Sequence, residues 1–154
     1  MGRVTALEHV AIQVADVDRS VRFYQQHLDF EPLFRVTRGD DYIQRVIGYP
    51  GASLEIAEMV IPGTDVRLEI IEYRNVEKAA IDPATASPGT MHFSLFVDDL
   101  DEIYARLTAA GVDSVSEPQL STGGHLKGGK VVYMKDPDEI RIELVQRPPR
   151  DGAA

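Results

Sequence analysis

The sequence predicts an α+β fold made of two tandem βαβββ modules, and three observations carry this prediction. First, the segment HVAIQVADVDRSVRFY from His9 recurs without gaps as HFSLFVDDLDEIYARL from His92. Second, both copies begin with the alternation of a strand and continue with helical spacing. Third, RLEIIEY, at 67–73, is echoed by RIELVQR, at 141–147. Side by side, the modules are expected to form a curved, mostly antiparallel sheet with the helices on its outer face.

Module one, about residues 5–80, is predicted as a strand, a helix and three further strands. Asp16 is the expected N-cap of the helix, because a carboxylate there accepts from free backbone N–H groups. The last two strands are joined by a turn at Pro62-Gly63-Thr64-Asp65, whose residue types favour turns. The predicted strands are Leu7–Val14, Phe30–Thr37, Ala52–Ile61 and Val66–Tyr73.

Module two, about residues 90–147, follows a stretch at 81–89 that reads as a linker because it is rich in Pro, Gly and Ser. A helix is expected from about Asp99 to Ala110, and a tail at 148–154. The two modules and the linker are expected to form one domain over 1–150. The predicted strands are Met91–Val97, a short one near Val115, Gly129–Met134 and Ile140–Gln146.

Composition restricts the kinds of partner. The net charge of −9 and the lack of basic clusters argue against nucleic acid, so a small molecule is the expected partner. No stretch is long and apolar enough to span a membrane, and no secretory signal is recognised, so the cytoplasm is the expected location. Because the chain has no cysteine, any metal must bind through His, Asp or Glu.

Strand parity selects four candidate metal ligands. Successive strand side chains point to opposite faces, and each candidate lies opposite the most apolar row of its strand. Two imidazoles and two carboxylates suit one divalent ion and leave coordination positions open for chemistry. A single polar strand residue is ordinarily solvated, as Glu8, Glu55 and Glu72 are expected to be, but solvation does not explain repetition at matched positions. The four candidates are His9, Glu69, His92 and Glu143.

Glu58 is a candidate general base. If the hairpin turn centres on Gly63-Thr64, Glu58 lies opposite Glu69 on the same face. Two carboxylates at this distance raise the pKa of one of them, which suits a base working near neutrality. The alternative is that Glu58 is an ordinary exposed strand residue.

The motifs LEHVAIQVADVDRSVRFY, MHFSLFVDDLDEIYARL, RLEII and KDPDEIRIELV resemble the vicinal oxygen chelate superfamily, which includes glyoxalase I and bleomycin-binding proteins. The resemblance covers about residues 5–147 and implies the four metal ligands selected above. It also implies a ligand glutamate, Glu143 or Glu69, as a base, and often a homodimer that completes the site between chains. Relatives often read D-P-D-G-N where this chain has Asp136-Pro137-Asp138-Glu139-Ile140, a change of turn geometry.

The full His/Glu/His/Glu set resembles glyoxalase I and methylmalonyl-CoA epimerase. By this resemblance the chain is expected to be a metal-dependent isomerase or lyase that shifts a proton next to a carbonyl, through a metal-stabilised enediolate. Its substrate would be a small carbonyl compound or thioester, and its ion Ni, Co, Zn, Mn or Fe. Two alternatives remain open: an Fe(II) extradiol dioxygenase, in which Glu69 would not bind the ion, and a non-catalytic drug-binding resistance protein.

Overall fold

The computed structural model describes residues 2–79 and 81–149 and divides into two compact units, 1–80 and 81–154. Each unit contains a four-stranded mixed sheet. The predicted α+β architecture of tandem modules is confirmed. Part of the predicted tail, 150–154, lies outside the described residues.

The first sheet has the strand order β1-β4-β3-β2. Strand β1 pairs in parallel with β4, whereas the β2/β3 and β3/β4 pairs are antiparallel. Parallel pairing of β1 and β4 places the start and the end of the module side by side at the sheet edge. The four strands are β1 (His9–Gln13), β2 (Glu31–Arg38), β3 (Ser53–Val60) and β4 (Arg67–Arg74).

Helix α1 (Val17–Leu28) begins as the sequence predicts. The Asp16 side chain accepts a hydrogen bond from the N–H of Arg19 at 3.0 Å. The helix buries Phe23 and Tyr24, and the N–H of Val17 donates to the Glu72 carboxylate on β4 at 3.3 Å. Because Glu72 shares its strand face with the fully buried Leu68 and Ile70, α1 covers the face opposite Glu69.

A second helix, α2 (Asp41–Ile47), occupies the insertion before β3 and was not predicted from the sequence. Its Ile43 and Ile47 pack on a buried cluster of Leu54, Ile56 and Ile71. By strand parity this cluster shares the face of Glu69, so α2 lies on the face of the candidate ligands, opposite the face that α1 covers. Seven residues with only two inward apolar side chains give too weak a periodic signal for sequence-based assignment.

The second sheet repeats the first, with strand order β5-β8-β7-β6 and a parallel β5/β8 pair. Helix α3 (Leu100–Ala109) has Asp99 as its N-cap, as predicted. The short strand expected near Val115 is only an isolated bridge at Ser114, and the fourth strand comes later in the chain. The strands are β5 (His92–Val97), β6 (Gln119–Leu120), β7 (Lys130–Lys135) and β8 (Arg141–Gln146).

The turn between β7 and β8 is stabilised by Asp136, whose carboxylate accepts from the N–H groups of Asp138 and Ile140, both at 2.8 Å. Glu139 within this turn has φ +63°, a left-handed conformation that favours glycine. Glu139 is therefore the position at which the D-P-D-G-N motif named above has glycine. Elsewhere, no helix among residues 2–79 and 81–149 is long and apolar enough to cross a bilayer.

Candidate metal centre

Module one brings His9 and Glu69 together. His9 begins β1, and Glu69 lies on the adjacent β4, where Ala11 is its register partner. The Nε2 atom of His9 is 3.5 Å from Oε2 of Glu69, and the two side chains are 36% and 17% exposed. One imidazole nitrogen and one carboxylate oxygen, both possible metal ligands, thus lie next to each other and remain accessible to solvent.

Module two repeats this pair with His92 and Glu143. His92 begins β5 and Glu143 lies on β8, and Nε2 of the histidine is 3.6 Å from Oε2 of the glutamate. The separation is almost the same as in module one, as expected for equivalent strands with the same parallel pairing. Behind the pair, Ile142 and Leu144 are fully buried, so the apolar row of β8 fixes the direction in which Glu143 points.

Glu58 lies directly opposite Glu69 across the β3/β4 ladder, which is the predicted register. It is buried rather than exposed, with a relative exposure of 7%. Burial raises the pKa of Glu58, and the Glu69 carboxylate adds to the increase. The guanidinium of Arg67 favours the charged form, because Nη1 donates to Oε2 of Glu58 at 2.6 Å.

Tyr133 occupies the position in module two that Glu58 occupies in module one, as the register partner of Glu143 on β7. Its hydroxyl lies 3.3 Å from Nε2 of His92, and the two rings meet edge to face with centroids 5.1 Å apart. Burial, followed by the nearby Glu143, raises the pKa of Tyr133. Sequence reasoning missed this residue, although the register count that found Glu58 would have found it across the 136–139 turn.

Two of the strand carboxylates expected to be solvated have structural partners instead. Glu55 is buried and accepts hydrogen bonds from Thr37 at 2.7 Å and Arg74 at 3.2 Å. Glu72 accepts from the first turn of α1, and the Arg74 guanidinium lowers the pKa of Glu72. That expectation was therefore wrong for both, because an ion pair or a helix N-terminus compensates the loss of water.

The donor chemistry of each pair fits a divalent ion of intermediate softness, since imidazole nitrogen and carboxylate oxygen are its usual protein ligands. In the described ranges, no group of three or more His, Cys, Asp or Glu side chains is arranged to hold an ion. Each module therefore supplies two candidate ligands, which are too few for a tetrahedral or octahedral site by themselves.

A family model described as the Glyoxalase/Bleomycin resistance protein/Dioxygenase superfamily matches residues 6–144. The chain belongs to this superfamily. Its repeated modules also resemble a solved glyoxalase family protein from Bacillus cereus, with a TM-score of 0.83, 21% identity, and coverage of 96% of this chain and 97% of that one. At this identity the likeness establishes the fold.

Two relatives are similar over most of their length. The chain is 26% identical over 146 residues to a 2-epi-5-epi-valiolone epimerase from an Actinomyces species, covering 93% of this chain and 80% of the relative. It is 29% identical over 140 residues to a probable lactoylglutathione lyase of Vibrio parahaemolyticus, covering 90% and 88%. It also matches plant lactoylglutathione lyases, of whose length it spans only 35% to 44%. The expectation of an isomerase or lyase of the glyoxalase superfamily is confirmed.

Proposed function

We propose that the protein is a metal-dependent isomerase or lyase that shifts a proton next to a carbonyl of a small substrate, as its resemblance to glyoxalase I and methylmalonyl-CoA epimerase implies. The observation that carries this proposal is the His–Glu pair repeated in each module, with separations of 3.5 and 3.6 Å, together with the buried carboxylate of Glu58 opposite Glu69 in module one. The relatives named lyase and epimerase support the same class.

One divalent ion would be held by both His–Glu pairs together, that is by His9, Glu69, His92 and Glu143. When bound, the ion would act as a Lewis acid and stabilise negative charge on the carbonyl oxygen. The two carboxylates carry two negative charges and the neutral imidazoles none, so together they balance the charge of a divalent cation. A neutral substrate can therefore bind to the ion.

Glu58 is the general base that the contacts favour. Nη1 of Arg67 donates to Oε2 of Glu58, whereas no described residue forms a hydrogen bond to Oε1. Oε1 is therefore the oxygen that can accept a proton. Glu69 and Glu143 are the alternative bases, each of which would have to loosen from the ion in order to accept a proton. Single replacements by Gln distinguish the three glutamates, because replacing the base abolishes turnover. If Glu58 is the base, Glu58→Gln should lose turnover and keep its metal content.

The position of Glu69 favours this reading over an extradiol dioxygenase. A two-histidine, one-carboxylate site has no use for a second glutamate, whereas Glu69 faces His9 as Glu143 faces His92.

The proposal includes a cytoplasmic homodimer acting on a carbonyl or thioester compound. Light scattering after size-exclusion chromatography measures the assembly.

The deciding experiment is a screen of the protein loaded with nickel, cobalt, zinc, manganese or iron. Hemithioacetals, cyclitol ketones and acyl-CoA thioesters are offered, and proton exchange next to the carbonyl is followed by NMR in deuterium oxide. Exchange that disappears in His9→Ala and His92→Ala supports the proposal. Oxygen uptake with a catechol on the iron form would identify a dioxygenase instead, and a protein that binds no metal would contradict both enzyme readings.

A further inference from the structure

We propose that Glu8 and Arg67 form a positioning pair in module one, which orients His9 for metal binding and Glu58 for proton abstraction. This inference rests on the proposed function, and it assigns a role to two residues outside the predicted ligand and base set. Both side chains are charged, and both contact a residue that the proposed reaction uses.

Glu8 acts on the histidine. Its Oε2 contacts Nδ1 of His9, whereas Nε2 of the same ring faces Glu69. A metal-binding imidazole uses one nitrogen for the ion and commonly donates the N–H of the other to a carboxylate, which fixes the tautomer and the ring orientation. With the proton held at Nδ1, the lone pair of Nε2 is directed toward Glu69.

Arg67 links that carboxylate to the base. Its Nη2 contacts Oε1 of Glu8, and its Nη1 donates to Oε2 of Glu58 at 2.6 Å. A guanidinium is a planar fork whose geometry suits two carboxylates at once, so Arg67 limits the rotation of both. The contacts run without interruption from His9 through Glu8 and Arg67 to Glu58.

Module two provides an internal comparison, because the same strands carry different partners there. The residue before His92 is the exposed Met91 instead of a glutamate. Among the described residues, no carboxylate contacts Nδ1 of His92. Arg141, which matches Arg67, donates to the backbone oxygen of Glu139 at 2.9 Å. The pair is therefore not a consequence of the repeated fold. The base and its positioning residues are concentrated in module one.

The first test measures Co(II) affinity by competition with a chelator. Glu8→Ala should weaken binding about 10- to 100-fold, and Glu8→Gln, whose amide oxygen still accepts a hydrogen bond, should recover most of the loss. Asp18→Asn is the matched control, since it removes another exposed carboxylate–arginine pair of module one. In the zinc-loaded protein, the Nδ1 proton of His9 should be visible by NMR and should exchange with water in Glu8→Ala.

The second test separates positioning of the base from general stability. Arg67→Met should lower kcat about 10- to 100-fold with KM nearly unchanged, because the base is displaced rather than removed. Arg67→Lys should restore part of kcat. Arg74→Gln, on the same strand but on the opposite face, should leave kcat within about twofold, and thermal unfolding shows whether each variant is folded.

The inference is overturned if Glu8→Ala binds Co(II) as tightly as the unaltered protein, or if Arg67→Lys is as impaired in kcat as Arg67→Met. Failure of the proposed function looks different, because the unaltered protein would then bind no Co(II) or turn over no carbonyl substrate. Unchanged Co(II) affinity in the Glu8 variants, with metal binding intact in the unaltered protein, contradicts the positioning pair alone.

Discussion

Glu58 and Tyr133 occupy equivalent positions in the two modules, because Glu58 pairs across the ladder with Glu69 as Tyr133 does with Glu143. The fold repeats at this point, but the chemistry does not. A carboxylate accepts a proton, whereas a neutral phenol with an elevated pKa donates a hydrogen bond. The two modules thus carry the same His–Glu pair but different residues beside it.

This difference predicts unequal effects of two isosteric replacements. Glu58→Gln should lower kcat/KM by about 10²- to 10⁴-fold, the usual loss when a general base is removed. Tyr133→Phe should lower it less than about tenfold, because it removes one neutral hydroxyl beside His92 and no group that accepts the proton. Steady-state kinetics on the substrate from the screen measures both, with metal content as the control. A Glu58→Gln enzyme within tenfold of the original would remove Glu58 as the base.

Gly129, just before β7, should tolerate no side chain. An added Cβ would collide with the backbone oxygen of Gln146 and lie 3.1 Å from that of Leu126. Gly129→Ala should therefore lower the free energy of unfolding by about 1–3 kcal/mol. Gly123→Ala is the control, because its added Cβ has no neighbour within 4 Å. Urea denaturation measures both, and equal stabilities would contradict the predicted collision.

Glu139 should gain stability when replaced by glycine. Its φ of +63° is unfavourable for a residue with a Cβ by about 1–2 kcal/mol, part of which is offset by the greater backbone entropy of unfolded glycine. Glu139→Gly should raise the free energy of unfolding by about 0.5–1 kcal/mol. Asn75→Gly is a useful comparison, since Asn75 has φ +60° but asparagine adopts this region more readily. A loss of stability in Glu139→Gly would contradict the prediction.

Helix α2 should respond to acid through its N-cap. The Arg38 guanidinium, followed by the N–H of Ile43, lowers the pKa of Asp40 to about 2. A carboxyl whose pKa falls on folding contributes stability above its ordinary value of 3.8, and this contribution is lost as the pH falls toward 2. The amide proton shift of Ile43 should titrate with a midpoint near 2 and should not titrate in Asp40→Asn. A midpoint near 3.8 would show that the cap is weak.

The sequence predicted the repeated architecture because buried residues such as Leu68 and Ile70 alternate with Glu69, which leaves Glu69 on the other face of the strand. It also predicted the Glu58–Glu69 register, since the hairpin turn fixes the pairing. Helix α2 was missed because it is short and has few inward apolar residues. Glu8 and Arg67 were missed because their role depends on contacts between strands, which no periodicity records.

The number of divalent ions bound per chain tests the central claim most directly. If His9, Glu69, His92 and Glu143 share one ion, metal analysis after loading should give one ion per chain, and either His9→Ala or His92→Ala should abolish tight binding altogether. Two ions per chain, or a loss of half the metal in each variant, would show that each pair binds separately and would contradict the shared site.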